Sequence, residues 1–246
     1  MPDTSRLDRK HLMAERPIFI PSVNSPGFVK VVSFDIPFAT GFAPVQKQKN
    51  VHSLHAAAAR AGYSPLLEIS SKSEEKAGRH LSAFHLKVDT ASGSIPLENA
   101  FQGSKVFEYG GPYIDLYVTD PRSAKRDPRL RESGRLVAFE IDGSEFPLQP
   151  STVFYDWLYL NAIYPHREWL RERIDGHMRY AGFTDIEFNP KKSINCQAKS
   201  CALFVSLMRA GLMDRAMNSA EEFITLMSEQ IRSKRSQPEQ ADQLHF

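Results

Sequence analysis

The spacing of apolar residues changes along the chain, and this change constrains the fold more than any other feature. Segments that alternate or run as short apolar stretches predict β-strands at residues 28–38, 66–70, 81–88 and 136–141. Helical spacing predicts helices at residues 51–61, 152–163, 167–178, 199–213 and 220–232. Because strands come early and helices late, we expect an α+β fold, a mainly helical single domain with a small sheet.

The chain length fits one domain. Its 246 residues are enough for one large core, and the sequence has neither an internal repeat nor a long linker. The start is charged and aperiodic, which predicts a flexible N-terminal arm over residues 1–16. The end is rich in Gln, Ser, Lys and Glu, which predicts a disordered tail over residues 229–246. Residues 17–228 would then form the folded domain.

Cysteine content and charge limit the class of protein. Two cysteines, Cys196 and Cys201, cannot build a disulfide framework, which favours a cytoplasmic location. No segment resembles a signal peptide or a run of about 20 apolar residues, so we expect a soluble protein without membrane contact. The net charge of +2 is low for a protein that wraps duplex DNA. It suits a pocket for one anionic group, such as a pyrophosphate.

Common cofactor and metal motifs are missing from the sequence. It contains no GxGxxG, no GxxxxGK[ST] and no GxSxG, and Cys196 and Cys201 have no second pair of zinc ligands. His52 and His55 lie three residues apart on a predicted helix, where a solvated or half-buried face is a better interpretation than a metal site. We therefore predict no cofactor and no metal.

One polar stripe is the most informative feature of the sequence. Pro96 suits the start of a helix over residues 97–107. On that helix Gln102 lies about 40° and Lys105 about 20° from Glu98, on either side of it. The pair Glu98 and Lys105 is seven residues apart, beyond the usual i, i+4 ion-pair spacing. The stripe is either a solvated helix face or a carboxylate, an amide and an ammonium aligned for chemistry.

These residues resemble the central motif of the NADAR family, in which a Gly turn precedes the pattern E-[HN]-x-[FY]-Q-[AG]-x-K. Here the motif follows Gly93 and reads ENAFQGSK over residues 98–105. Upstream, residues 69–73 and 81–84 are similar to the family's F-x-S and L-S-N-F segments, with Ala83 where Asn is usual. Downstream, the segments around Trp157, residues 183–185 and residues 204–209 follow in the family's order. The resemblance spans roughly residues 66–209.

The resemblance implies a NADAR or YbiA-like fold and an N-glycoside hydrolase. The chain looks most like the divergent branch paired with DarT-type DNA ADP-ribosyltransferase toxins. That branch implies an antitoxin that removes ADP-ribose from guanine bases in DNA, with ADP-ribosylated DNA or ADP-ribose as ligand and a cognate toxin as partner. The family's Trp-Gly is replaced by Asn189-Pro190-Lys191-Lys192, and Asn195 stands only near the position of its Gly-x-Asn.

The implied reaction assigns roles to four residues. Its transition state resembles an oxocarbenium ion, which a carboxylate near the anomeric carbon stabilises. We assign this role to Glu98 first and to Asp185 second. Lys105 would protonate the leaving base, or attack the opened sugar to form a Schiff base. Gln102 would orient the ribose hydroxyls.

Further residues are candidates for substrate binding. Ser71, Lys72 and Ser73 offer two hydroxyls and a cation for a phosphate, although a solvated polar loop explains them equally well. Lys191 and Lys192 form a second cationic candidate for the phosphate. The remaining candidates are Asn195, the turn glycine Gly111 and the aromatic residues Phe84, Tyr113 and Trp157. Each of the three aromatic residues could stack on a base or pack in the core.

Two other functions fit the same sequence. The first is an N-glycosidase that acts on a free nucleotide or a riboflavin-pathway metabolite, as other members of the wider family do. The second is a non-catalytic antitoxin that binds its toxin directly. Loss of protection after substitution of Glu98 or Lys105 would argue against this second alternative.

Overall fold

The structure, a computed structural model, describes residues 12–41, 43–176 and 179–235. Its strands are β1 (Met13–Pro21), β2 (Val29–Pro37), β3 (Leu66–Glu68), β4 (Lys87–Thr90), β5 (Gly93–Pro96), β6 (Lys105–Phe107), β7 (Leu136–Ile141), β8 (Ser144–Phe146) and β9 (Gly182–Thr184). Its helices are α1 (Pro44–Arg60), α2 (Lys76–His80), α3 (Leu97–Gly103), α4 (Pro121–Ala124), α5 (Arg129–Glu132), α6 (Val153–Ile163), α7 (Arg167–Leu170), α8 (Gln197–Arg209), α9 (Met213–Asn218) and α10 (Ala220–Arg235). These elements confirm the predicted α+β class.

A four-stranded sheet in the order β2-β1-β9-β3 contains β9, from the C-terminal half of the chain, between β1 and β3. β1 pairs antiparallel with β2 along nine residues, and β9 joins β1 through the pair Phe19 and Phe183. β3 runs parallel to β9, with Glu68 opposite Thr184. Because parallel strands end at the same edge, the residues that follow β3 and β9 meet there. At this edge Ser70, after β3, and Ile186, after β9, both donate hydrogen bonds to Glu68.

Two smaller sheets frame the predicted polar stripe. β4 and β5 form a hairpin that leads directly into α3, and β6, β7 and β8 form an antiparallel sheet behind it. The prediction of one small sheet was therefore too simple. The prediction of a helix through residue 107 was wrong, because α3 ends at Gly103 and Lys105 begins β6.

Packing against Tyr117 explains why α3 stops at this point. A Cβ on Gly103 would lie 2.6 Å from the Tyr117 ring, so only glycine allows this close approach. The Ser104 hydroxyl bonds with the Tyr117 hydroxyl at 2.9 Å, and the Ser104 carbonyl accepts from Glu140 N at 2.7 Å. The backbone at Ser104 is thus committed to the sheet, and the helix cannot continue.

The core centres on α6 and α8. Helix α6 is buried almost all round. Tyr159 and Phe154 of α6 and Phe204 of α8 are among the largest fully buried side chains of the described residues. The Tyr159 hydroxyl donates to the Leu81 carbonyl at 2.7 Å, which ties the loop after α2 to this core. A second, smaller cluster lies between α1 and the four-stranded sheet. Both cysteines are free and buried.

The ends of the domain differ from the prediction. Residues Met13 to Arg16 belong to β1, so the predicted arm over residues 1–16 is too long; residues 1–11 lie outside the described part. The predicted tail over residues 229–246 is also wrong up to Arg235, where α10 ends, and the rest of it lies beyond the described residues. At the N-terminal end, β1 is held in the sheet by its pairing with β2. At the C-terminal end, α10 packs on α9.

Three further elements differ from their predicted extents. Only residues 87–88 of the predicted strand over residues 81–88 belong to a β-strand. Helix α1 begins seven residues earlier than the predicted start at residue 51, with Pro44 in its first turn. The predicted helix over residues 167–178 consists of α7 and a π-helical segment, Arg171–Asp175, and residues 177–178 are outside the description. No described helix has the length and apolar character that a membrane span needs.

Candidate functional site

The predicted polar stripe forms a continuous chain of hydrogen bonds. Gln102 Nε2 donates to Glu98 Oε1 at 2.8 Å, and Lys105 Nζ donates to Gln102 Oε1 at 2.6 Å. Gln102 is 5 % exposed, whereas the Glu98 side chain is 22 % exposed. The three side chains converge although Lys105 is on β6, because the turn at Ser104 keeps it beside the last turn of α3. Both charged residues of the stripe are therefore half-buried, and the glutamine between them is buried.

The surroundings of Lys105 lower the pKa of its ammonium group. Burial lowers the pKa of this ammonium, the negative charge of Glu98 raises it, and the positive charge of Lys125 lowers it further. Lys105 Nζ also lies 5.0 Å from the centre of the Phe101 ring. Lys125 Nζ approaches Glu98 Oε1 to 3.8 Å, so Glu98 forms an ion pair with Lys125. A lysine with a lowered pKa releases its proton more readily than a solvated one.

Asp185 follows β9 and is held by two donors. Its Oδ1 accepts from Glu187 N at 3.0 Å, and its Oδ2 accepts from Gln197 Nε2 at 3.0 Å. Burial, followed by the nearby charge of Glu68, raises the pKa of Asp185 to about 7. Gln197 in turn accepts from Ala83 N at 2.7 Å. This carboxyl group therefore titrates near neutral pH and is tied to the loop after α2.

Glu68 forms a buried acidic centre beside Asp185. It accepts hydrogen bonds from the Ser70 and Thr184 hydroxyls, both at 2.6 Å, and from Ile186 N at 2.9 Å. Burial raises the pKa of Glu68 despite these donors. Because Thr184 Oγ1 donates to Glu68, it accepts from His55 Nε2 at 2.9 Å. Two buried carboxyl groups thus share this edge of the four-stranded sheet.

The two histidines on α1 have different surroundings. Burial lowers the pKa of His55 to about 4, so its ring is neutral and donates through Nε2 to Thr184. His52 is exposed and lies 3.1 Å from Glu74. Within the described ranges, no group of three His, Cys, Asp or Glu side chains is arranged to hold a metal ion.

Tyr155 is a buried tyrosine that packs against Phe101 of the central motif. It lies on α6 with its ring edge-on to Phe101, at a centroid distance of 5.5 Å. Burial raises its pKa well above the ordinary value, and the charges of Asp185 and Glu98 both add to this shift. Its hydroxyl has no hydrogen-bond partner among the residues that the structure describes. A neutral phenol near both carboxyl groups is therefore available to a ligand.

The predicted phosphate loop lies directly after β3. Ser71 is exposed, Lys72 is half-buried, and Lys72 N donates to Ser70 Oγ at 3.1 Å. Ser73 is 4 % exposed, and its carbonyl accepts from Arg79 Nη1 at 2.8 Å. Through Ser70 the loop is joined to the buried acidic centre at Glu68. The fold therefore brings the loop and Asp185 to the same edge.

Two candidate residues near Lys105 have packing roles. A Cβ on Gly111, which has a φ of +90°, would collide with the Lys105 carbonyl, so this glycine allows backbone to approach backbone. Tyr113 N donates to the Gly103 carbonyl at 2.7 Å, and its ring lies 4.5 Å from the guanidinium carbon of Arg129. These contacts fix the turn between α3 and β6. They do not require a ligand.

The other candidate residues are dispersed. Trp157 is partly buried against Phe146, with ring centroids 5.0 Å apart, whereas Phe84 is 74 % exposed. Asn195 Oδ1 is buried and has no hydrogen-bond partner within the described part of the chain. Lys191 and Lys192 are exposed. Phe84 and Asn195 thus have free groups for binding, whereas Trp157 packs at the edge of the core.

Four residues of the site were not predicted from the sequence: Glu68, Lys125, Tyr155 and Gln197. Glu68 had a detectable signal, since it is a lone carboxylate within the apolar run LLEI of residues 66–69. Gln197 and Tyr155 had no such signal. Gln197 lies in a segment without a recognisable pattern, and Tyr155 is one of several aromatic residues on α6. Their roles follow from contacts between segments distant in the sequence.

Comparison with known families identifies the family of the chain. The family described as DarT1-associated NADAR antitoxin matches residues 14–237, which is most of the chain. No curated protein matches it at a significant level. The matched range includes every residue of the candidate site, and the chain belongs to the NADAR family of DarT1-associated antitoxins.

Proposed function

We propose that this antitoxin is an ADP-ribosyl glycohydrolase that hydrolyses the N-glycosidic bond between ADP-ribose and guanine bases in DNA. Family membership supports the antitoxin role. The observation that carries the enzymatic part is the hydrogen-bonded chain from Glu98 through Gln102 to Lys105, which ends on a lysine with a lowered pKa. An inert surface stripe would not need a buried glutamine between two charged groups.

The reaction breaks the bond between the anomeric carbon of the ribose and a nitrogen of guanine. Water supplies a hydroxyl group to the carbon, and the departing nitrogen takes up one proton, so the products are ADP-ribose and the unmodified base. Positive charge develops at the anomeric carbon during this step, and the half-buried Glu98 carboxylate stabilises it. Gln102 fixes the Glu98 carboxylate and orients the ribose hydroxyls.

Two groups are suited to proton transfer. Lys105 in its protonated form gives a proton to the leaving base, which the lowered pKa makes easier. Asp185, with a pKa of about 7, accepts a proton from the attacking water when it is ionised. The unpartnered Tyr155 hydroxyl, close enough to feel both carboxylate charges, helps to hold the ribose between them.

The remaining candidates bind the rest of the substrate. Ser71, Lys72 and Ser73 bind the pyrophosphate in this proposal, which the connection of their loop through Ser70 to Glu68, beside Asp185, supports. Asn195 offers a buried amide oxygen without a partner among the described residues, and such an atom usually has a ligand or water as its partner. Phe84 is exposed for stacking on a base.

The decisive experiment incubates the purified protein with an oligonucleotide that carries ADP-ribosylated guanine and measures free ADP-ribose by mass spectrometry. Glu98→Ala and Lys105→Ala are run beside matched controls on exposed strand positions, Glu145→Ala and Lys30→Ala. We expect release by the wild type and both controls, and loss of release in the two site variants. Thermal unfolding of all five proteins verifies that they are folded.

The same proteins, tested in two further assays, separate the alternatives. Absence of release by the folded wild type would contradict the glycohydrolase proposal. Cleavage of a free nucleotide or riboflavin-pathway metabolite instead would identify a metabolite N-glycosidase. Protection of cells from the toxin by both Glu98→Ala and Lys105→Ala would identify an antitoxin that acts by contact.

A further inference from the structure

A large groove lies next to the candidate site, and none of the proposed catalytic residues lines it. Its volume is about 1250 Å³. Buried apolar side chains form its floor, among them Leu81, Ile163 and Leu170. Pockets for small molecules usually measure roughly 300–1000 Å³, so this groove has room for a segment of a polymer.

The rim of the groove is positively charged. Lys76, Lys87 and Arg173 line it, and Asp89 is the sole carboxylate among the described residues of the lining. Neither Lys76 nor Lys87 has an ion-pair partner in the described part of the chain. Since the net charge of the whole chain is only +2, this rim is a local excess of cations. A groove of this kind attracts a polyanion.

Exposed aromatic rings accompany these cations. Trp169 forms part of the wall and is 40 % exposed, with the guanidinium carbon of Arg173 5.5 Å from its ring centre. Phe84, which is 74 % exposed, precedes the lining residue His85 directly. Grooves that bind single-stranded nucleic acid combine cations along the backbone with aromatic side chains on which bases stack. The groove has both features.

The wall of the groove is physically joined to both halves of the candidate site. Ala83 N donates to Gln197, and Gln197 donates to Asp185, so the loop that carries Phe84 and His85 is attached to that carboxyl group. The carbonyl of Leu86, another lining residue, accepts from Leu97 N at 3.1 Å, one residue before Glu98. The wall of the groove is therefore attached to the segments that carry Asp185 and Glu98.

We propose that this groove binds the single-stranded DNA segment that flanks the modified guanine. The proposal rests on the glycohydrolase function proposed above. Lys76, Lys87 and Arg173 contact the phosphates, Trp169 stacks on a base within the groove, and Phe84 stacks on the base next to the modified one. The groove thereby supplies affinity for DNA, whereas the chain of residues from Glu98 to Lys105 acts on the ADP-ribose link.

The first test measures binding of an unmodified, fluorescently labelled single-stranded oligonucleotide by anisotropy over a series of salt concentrations. The double variant Lys87→Gln/Arg173→Gln removes two cations from exposed positions, and Lys30→Gln/Lys49→Gln is the matched control. Each phosphate contact on a single strand contributes about 0.7 to the slope of log K against log salt concentration. We expect the groove variant to lower this slope by about 1.4 and the control to leave it unchanged. Equal slopes for the wild type and the groove variant would overturn the proposal.

The second test compares hydrolysis of an ADP-ribosylated oligonucleotide with hydrolysis of ADP-ribosylated guanosine. We expect the groove variant to lose at least about tenfold in kcat/KM on the oligonucleotide and to retain activity on the nucleoside. Equal losses on both substrates would place these residues in the catalytic site and contradict the proposal. If the wild type hydrolyses neither substrate yet binds the oligonucleotide through the groove, the glycohydrolase function fails whereas DNA binding by the groove is upheld.

A third measurement addresses a protein as the occupant. Binding of the purified DarT1 toxin is measured with the wild type and the groove variant. If the variant retains its affinity for DNA and loses its affinity for the toxin, the groove is a docking surface for the toxin, and the proposal is wrong.

Discussion

Replacement of Asp185 by asparagine should make the protein more stable at high pH and less active. In the folded protein the pKa of this carboxyl is about 7, against an ordinary value of 3.8. Because the folded-state pKa is raised, the folded protein binds more protons than the unfolded chain between these values. The unfolding free energy of the wild type should therefore fall as the pH rises from about 4 to about 7.

The size of this effect follows from the shift of the pKa. A shift from 3.8 to about 7 corresponds to roughly 4 kcal/mol once the carboxyl is fully ionised. Asparagine avoids this cost but places an amide nitrogen opposite one of the two donors, Glu187 N and Gln197 Nε2, which costs about 1 kcal/mol at every pH. Asp185→Asn should thus be about 3 kcal/mol more stable than the wild type at pH 8 and about 1 kcal/mol less stable at pH 4.

Urea denaturation between pH 4 and pH 8 measures this difference directly. Asp35→Asn, on an exposed position of β2, is the control and should follow the wild type throughout. Parallel pH profiles for the wild type and Asp185→Asn would refute the reasoning, because they would show that Asp185 does not bind its proton on folding in this range. A stabilised variant that no longer releases ADP-ribose would show that this buried carboxyl is retained for activity.

Three further predictions concern single contacts. Lys105→Met should lower the rate of ADP-ribose release by at least about 100-fold, measured with the ADP-ribosylated oligonucleotide, because the variant has no proton to donate; an unchanged rate would exclude Lys105 as the acid. Gly103→Ala should lower the unfolding free energy by about 1–3 kcal/mol in urea, since its Cβ would lie 2.6 Å from the Tyr117 ring, and wild-type stability would show that the ring can move away. Tyr159→Phe should cost about 1–2 kcal/mol in the same assay by leaving the buried Leu81 carbonyl without its donor, and a neutral result would mean that water replaces the hydroxyl.

The central motif of the site was predictable because its residues are close in sequence. Glu98, Gln102 and Lys105 lie within eight positions, where helical geometry alone places them on one side. Their alignment survived even though the helix ends at Gly103. The point where α3 ends was not predictable, since it depends on Tyr117, whose ring excludes any side chain at Gly103.

The sequence by itself determined the α+β class, most of the helices and the polar stripe, because these depend on periodicity and on neighbours within a few residues. Tertiary structure alone decided that Glu68 and Asp185 share a buried edge, since β3 and β9 are adjacent in the sheet although Glu68 and Thr184 are 116 residues apart in the chain. It also decided that the loop at Phe84 joins Asp185 to the cationic groove, through one hydrogen bond between Ala83 and Gln197 across 114 residues. Contacts of this kind have no local sequence pattern. The partner of a strand or of a buried amide depends on which distant segments the tertiary structure brings together.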